Sequence, residues 1–206
     1  SSMKYTSKIL QETVDAFSSL PGIGRKSAMR IALHLANKGQ QRIMNFSQTL
    51  SMLSYGLKTC KTCYAYADDE QCSICSNPSR NHKVICVVES IRDLMAIEET
   101  QQFSGVYHVL NGLISPVDGI GPDQLNIDPL LARINTDAVD EIIMAIRPCI
   151  EGDTTVYYLT RQLQGMEVKI SIIARGISFG SELEFADEFT LGRSIAERVP
   201  YSLQVK

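Results

Sequence analysis

Apolar residues recur at helical spacing over residues 6–19, where Ile9, Leu10, Val14 and Phe17 share one side, and again over residues 25–38, where Ala28, Ile31, Ala32 and Leu35 do. Between them, Leu20-Pro21-Gly22-Ile23-Gly24 ends the first helix. Proline cannot continue it, and the two glycines permit the positive φ angles of a tight hairpin. A third stripe, Ile43, Phe46, Leu50 and Leu53, predicts a helix over residues 43–57 with those four on its core side. After Lys83 the grammar changes. The continuous apolar run at 84–88 predicts a strand buried on both faces. Further strands are predicted over 107–110, 141–146 and 168–174, and helices over 91–101, 125–135, 154–164 and 186–198, with a long loop at 114–124. Alternation of this kind predicts a mainly parallel sheet with right-handed crossovers, whose ligands gather beyond the carboxyl ends of the strands. Glu89 sits at one such end and Glu151 just beyond another.

Between the helical head and the α/β body lie Cys60-Lys-Thr-Cys63 and, after a polar loop with Asp68, Asp69 and Glu70, Cys72-Ser-Ile-Cys75. Two Cys-x-x-Cys knuckles are the spacing of a structural zinc site, each turning its two sulfurs to one side. The loop between them cannot bury a core, so the metal would supply most of the folding free energy of this segment, on the order of 10 kcal/mol in isolated zinc peptides. Four protein ligands leave no position for water, which makes Zn²⁺ structural here. Two disulfides or four separate thiols would use the same residues, but paired knuckles without a secretory segment favour metal. Cys86 and Cys149 fall in apolar strand-like runs and are expected to be buried thiols; His82, just past the knuckles, is expected to be a bystander.

The 206 residues suffice for one large domain, or two with a small insert. No apolar run approaches the roughly 20 residues a membrane helix needs. Residues 1–4, Ser-Ser-Met-Lys, carry no apolar signal core, so the default expectation is cytoplasmic. The net charge of −3 hides a gradient: residues 1–42 carry +5 and the remainder −8. A basic head on an acidic body suggests one end that faces anions and another that faces a partner.

The basic residues of the head fall beside the hairpin. Gly22 and Gly24 would leave backbone N–H groups open at the start of the second helix, where the dipole favours phosphate, and Arg25, Lys26 and Arg30 would neutralise neighbouring phosphates. Such contacts position DNA without reading its sequence. An ordinary helical hairpin with a Pro-Gly turn is the plain alternative. Gly24-Arg-Lys-Ser27 is not a phosphate loop, because the Gly-x-x-x-x-Gly-Lys spacing is missing.

In order along nearly the whole chain stand Leu20-Pro-Gly-Ile-Gly-Arg-Lys-Ser27, Cys72-Ser-Ile-Cys-Ser-Asn-Pro78, Val88-Glu-Ser90, Pro116-Val-Asp-Gly-Ile-Gly-Pro122, Glu151-Gly-Asp153 and Glu184-Phe-Ala-Asp-Glu-Phe-Thr-Leu-Gly-Arg193. This succession closely resembles the RecR family of bacterial recombination mediators. The resemblance implies an α+β/α/β chain in several parts: a helix-hairpin-helix over residues 1–56, a four-cysteine zinc finger over 57–80, and a Toprim domain over 81–177, the fold shared with topoisomerases and bacterial primases. A C-terminal segment over 178–206 would be Walker-B-like and make oligomer contacts. It further implies a ring-like homo-oligomer, dimer or tetramer, that binds DNA and works with RecO, and in some contexts RecF, to help RecA replace single-strand-binding protein. Lys26 and Arg30 match the family's DNA-contacting positions.

Catalytic Toprim domains hold Mg²⁺ with a strand-end glutamate and an Asp-x-Asp pair. Here Glu89 matches the glutamate, but the Asp-x-Asp positions read Arg147-Pro148-Cys149. A guanidinium repels a cation and a thiol is a poor Mg²⁺ ligand. Glu151, Asp153 and Asp118 remain as ligands for a weakly held Mg²⁺ only. The expectation is therefore no catalysis, with a metal-dependent nuclease, primase or topoisomerase as the alternative. Glu89, Glu151 and Asp153 are then expected to form an acidic face for a basic partner such as RecO. The Walker-B likeness of Glu184-Phe-Ala-Asp-Glu188 lacks an accompanying phosphate loop, so these acids are expected at a partner or subunit contact, and the sequence leaves nucleotide binding near Asp187 open.

Overall fold

A computed structural model of the chain describes residues 4–174, 176, 178, 180 and 182–200. Residues 201–206 of the expected C-terminal segment lie outside that set, as do its residues 179 and 181 and residues 175 and 177. The chain divides into two compact units, Ser1–Leu57 and Lys58–Lys206.

In the first unit, α1 (Lys8–Ser18) opens on Ser7, whose hydroxyl accepts from the Leu10 amide at 3.2 Å. α2 (Arg25–Ala36) follows Gly24 as its N-cap. Their shared core is small: Val14, Ala28 and Ala32 are buried, with Tyr5, Leu10, Phe17, Ile23 and Met29 packed around them. The two alanines let the helices approach closely. Ile9 does not join the stripe and is 78% exposed. α3 (Gln40–Gly56) corrects the expectation more strongly. None of its residues is buried, and Ile43, Phe46, Leu50 and Leu53 are 38 to 59% exposed. Periodicity identifies an apolar face but not what covers it, and the α1–α2 hairpin closes its core without α3.

The second unit begins with a ribbon, β1 (Lys58–Thr59) antiparallel to β2 (Tyr66–Ala67). A four-stranded parallel sheet follows in the order β4 (Gly105–Val109), β3 (Asn81–Val88), β5 (Glu141–Ala145), β6 (Lys169–Ile172). The crossovers are α4 (Ile91–Glu99) between β3 and β4, α5 (Ile127–Thr136) between β4 and β5, and α6 (Ile150–Gln162) between β5 and β6. Alternation along β3 explains its unbroken apolar sequence. Ile85 and Val87 join the layer that holds Ile127, Leu130, Leu159 and Leu163 of α5 and α6 and their flanks. Cys86 and Val88 face the opposite layer, with Leu94 of α4 and the four knuckle cysteines. α6 starts at Ile150, four residues before the expected position, because the Cys149 sulfur caps it by accepting from the Gly152 amide at 3.3 Å. Cys149 is thus a half-buried cap and not a buried strand thiol. α7 (Glu188–Ala196) closes the described chain, capped by Asp187, which accepts from the Thr190 amide at 2.8 Å. Among the described residues no helix is long and apolar enough to cross a membrane.

Candidate metal centre and nucleic-acid interface

β1 and β2 bring the first knuckle round: the Cys60 amide donates to the Ala65 carbonyl at 2.7 Å, and Tyr64 takes a left-handed conformation (φ 69°) to make the turn. All four knuckle sulfurs lie within 4.8 Å of one another and are buried, with Cys63 and Cys72 at 3.6 Å. Tetrahedral zinc at about 2.3 Å from each sulfur requires sulfurs about 3.8 Å apart, so the cage has the right size. Backbone amides point at the sulfurs, Ala65 at Cys63 and Cys75 at Cys72, both at 3.4 Å, as thiolates require. Hydrogen bonds from Cys63 and Cys75 hold Cys72 far below the ordinary thiol range. That thiolate in turn keeps the proton on Cys63, pushed up to about 12, and Cys63 together with Cys72 keeps Cys75 protonated as well. A divalent cation at the centre would displace the protons of Cys63 and Cys75 and hold four thiolates at this spacing. His82 is exposed, against the Asn77 carbonyl at 2.9 Å, and outside the cage.

The knuckles dock on the sheet. The Cys63 carbonyl accepts from the Val109 amide at 2.8 Å, and the Tyr64 ring meets His108 edge-on at 5.6 Å. Arg80, where the chain leaves the knuckles, forks onto Glu98 of α4 at 2.7 and 2.9 Å and donates to the Gly105 carbonyl. Tyr107 donates to the same Glu98 at 2.6 Å. These partners are 18 and 9 positions from Glu98, and nothing in the local sequence pairs them.

At the carboxyl end of the sheet, Val88 and Ala145 are in register, which brings Glu89 and Arg147 together across 58 positions. The Arg147 guanidinium reaches both carboxylate oxygens, at 3.0 and 3.4 Å. The positive charge therefore stands on the carboxylate that a catalytic cation would use. Glu151 and Asp153 lie in the first turn of α6, where the helix dipole favours acids. Asp153 accepts from Arg193 of α7 at 2.7 Å. Gly152 has no room for a side chain: a Cβ there would collide with the Arg147 carbonyl oxygen. Asp118 accepts from the Ser115 hydroxyl at 2.7 Å within its own loop. Among the described residues the cysteine cage is the one gathering of three or more metal-capable side chains.

In the helical unit, Gly22 adopts φ +77° and Gly24 caps α2 with no side-chain hydrogen bond, which leaves the first-turn amides of α2 without a capping side chain. Lys26 and Arg30, one turn apart, are exposed and form no ion pair among the described residues. Arg25 is differently placed. Its guanidinium donates to Asp15 at 2.8 Å and to the Tyr5 hydroxyl at 3.1 Å, tying α2 to α1.

Four family descriptions match successive parts of the chain: the RecR helix-hairpin-helix over residues 10–53, the RecR four-cysteine zinc finger domain over 57–77, the Toprim domain over 83–174 and the RecR C-terminal region over 176–199. The chain is 51% identical over 200 residues to the recombination protein RecR of Parabacteroides distasonis, covering 97% of this chain and 96% of that one. It is also 48% identical over 204 residues to the recombination protein RecR of Flavobacterium psychrophilum, covering 99% of each.

Proposed function

The chain belongs to the RecR family of recombination proteins, and from that premise we propose that it is a non-catalytic, DNA-binding mediator of recombinational repair. On this reading it acts in the cytoplasm with RecO, and with RecF in some contexts, to promote loading of RecA. The open amide end of α2, with Lys26 and Arg30 beside it, grips phosphates without sequence preference; Arg25 supports that end by bracing the hairpin. The four cysteines hold structural Zn²⁺, with Mg²⁺ at most weakly held elsewhere. α3 supplies an apolar face for assembly into a ring-like homo-oligomer. The observation that carries the non-catalytic reading is the Arg147 fork on Glu89. A fixed cation on that carboxylate opposes the hard divalent ion that phosphodiester chemistry needs.

The competing reading, a metal-dependent Toprim enzyme, is separated by one set of assays. Pure protein with supercoiled or single-stranded DNA and Mg²⁺ or Mn²⁺ is expected to give no turnover; turnover lost on Glu89→Gln would establish the enzyme instead. In parallel, Lys26→Ala with Arg30→Ala is expected to weaken DNA binding and to flatten its dependence on log salt by about 2, one unit per lost phosphate contact. Unchanged binding in that variant would leave a zinc-stabilised scaffold without a DNA contact.

A further inference from the structure

Between Asp15 and Asp68 the chain carries no acidic residue, so α2 and α3 present basic side chains with nothing of opposite sign among them. A solvated helical surface ordinarily mixes the two signs. The acids of the helical unit, Glu12 and Asp15, both lie on α1, where they meet Lys8 at 3.8 Å and Arg25 at 2.8 Å. Lys26, Arg30 and His34 follow at intervals of four along α2, each about 6 Å further on and turned by about 40°, which makes one row down the helix. Beyond the end of α2, His34, Lys38 and Arg42 line one open cleft of about 360 Å³ together with Asn45 and Thr49 of α3. All five cationic or imidazole side chains are exposed and form no ion pair among the described residues. The Asn45 side-chain oxygen takes Gln41 at 2.9 Å, which leaves its amide N–H groups as further donors. The negative end of α2 and the positive end of α3 meet here and offset one another, so the side chains set the sign of the cleft.

We propose that this cleft is a second phosphate site, and that Lys26, Arg30, His34, Lys38 and Arg42 form one track for the backbone of single-stranded DNA. The strand enters at the hairpin, runs down α2 and ends in the cleft, where Lys38 and Arg42 each meet a phosphate. A duplex strand circles its axis once in about 34 Å, so it curves off a straight row within a few phosphates and does not turn into the cleft beside it. An unpaired strand bends freely and follows the row to its end. The proposal rests on the reading of Lys26 and Arg30 as a DNA grip, and adds to it both the further contacts and the form of DNA that reaches them.

The test uses the full chain with a fluorescein-labelled oligo(dT) strand and, separately, a labelled duplex of the same length, each titrated over a series of salt concentrations. Lys38→Ala with Arg42→Ala is expected to flatten the dependence of log affinity on log salt by about 1.4 for the single strand, the share of two contacts. That corresponds to about 25-fold weaker binding at 0.1 M salt, a loss that vanishes near 1 M. The duplex slope is expected to stay as in wild type. Lys38→Arg with Arg42→Lys, which keeps both charges, should keep the wild-type slope for the single strand; a slope lost there as well would mean that the two side chains act through packing, and would overturn the site. An unchanged single-strand slope in Lys38→Ala with Arg42→Ala, beside a reduced one in Lys26→Ala with Arg30→Ala, would overturn the track and leave the hairpin grip standing. Equal losses for single strand and duplex would overturn the assignment to unpaired DNA. No change in either pair of alanine variants would remove both the track and the grip.

Discussion

His108 on β4 is fully enclosed and fixed in one tautomer: Nε2–H donates to the Asn126 carbonyl at 2.7 Å, while Nδ1 faces the Arg133 guanidinium at 3.3 Å. Burial lowers its pKa from the ordinary 6.5 to about 4, and the neighbouring Arg133 charge acts in the same direction. The unfolded chain therefore takes up a proton between pH 6.5 and 4 that the folded chain refuses. Stability from this group is complete above pH 6.5 and is lost as pH falls toward 4, by about 3 kcal/mol in all. Urea denaturation at a series of pH values should show His108→Gln less stable at neutral pH but with a shallower decline across that window; an identical slope would rule out His108 as the titrating group. Gly152 gives a second test. Alanine ordinarily favours a helix over glycine by about 1 kcal/mol. Here its Cβ would strike the Arg147 carbonyl, so Gly152→Ala is expected to destabilise by about 1–3 kcal/mol in thermal or urea melts. The sequence made the cysteines readable, since their spacing is itself the ligand geometry. It hid His108 and Arg133, and it set Arg147 opposite Glu89 only through the family resemblance, without the direct ion pair that the sheet register makes.

The zinc finger is an element of the sheet's own packing. Its four cysteines share an apolar layer with Cys86, Val88, Leu94, Tyr107, Val109 and Ala145, and the Cys63 carbonyl takes the amide at the end of β4. Removing the metal, by chelator or by Cys63→Ser, is therefore expected to strip exchange protection from Val109 and α4 as well as from the knuckles, and to lower the melting point by on the order of 10 °C. The α1 and α2 amides, whose core lies in the other unit, should keep their protection. Loss confined to residues 58–77 would mean that the finger is only appended. The Arg80 fork on Glu98 is part of the same docking, so Arg80→Ala should weaken α4 in the same direction without releasing zinc. At this scale the sequence is an accurate guide to element type and order. Strand and helix alternate from residue 81 onward as their periodicity requires, and the parallel sheet follows from that alternation. The start of α6 escapes it for a specific reason. Its cap is a cysteine sulfur and its first turn contains a glycine, two features that read as loop until Gly152 is seen against the Arg147 carbonyl.

For the molecule as a whole, the open question set by the fold is what covers α3. At about 100° per residue, Ile43, Phe46, Leu50 and Leu53 fall on one side of this helix, while Met44, Met52 and Tyr55 fall on the opposite side. All seven are exposed. A helix apolar on two opposed sides is normally buried from both, and monomers rarely leave so much contiguous apolar surface in water. A second copy of the same chain supplies a matching surface at no cost in new sequence, and two separate faces allow assembly beyond a simple pair. Sedimentation of the full chain should then give a mass above one protomer. Phe46→Glu with Leu50→Glu, and separately Met52→Glu with Tyr55→Glu, should each lower that mass, and all four together should give one protomer. DNA affinity should fall with assembly, since several weak hairpin grips on one strand add through effective concentration. Wild-type mass retained in both paired variants would place the contact elsewhere. The distinction matters for the proposed mechanism, because an isolated pair of cations at Lys26 and Arg30 would hold a phosphate backbone only weakly at physiological salt, whereas the same pair repeated around an assembly would hold it far longer.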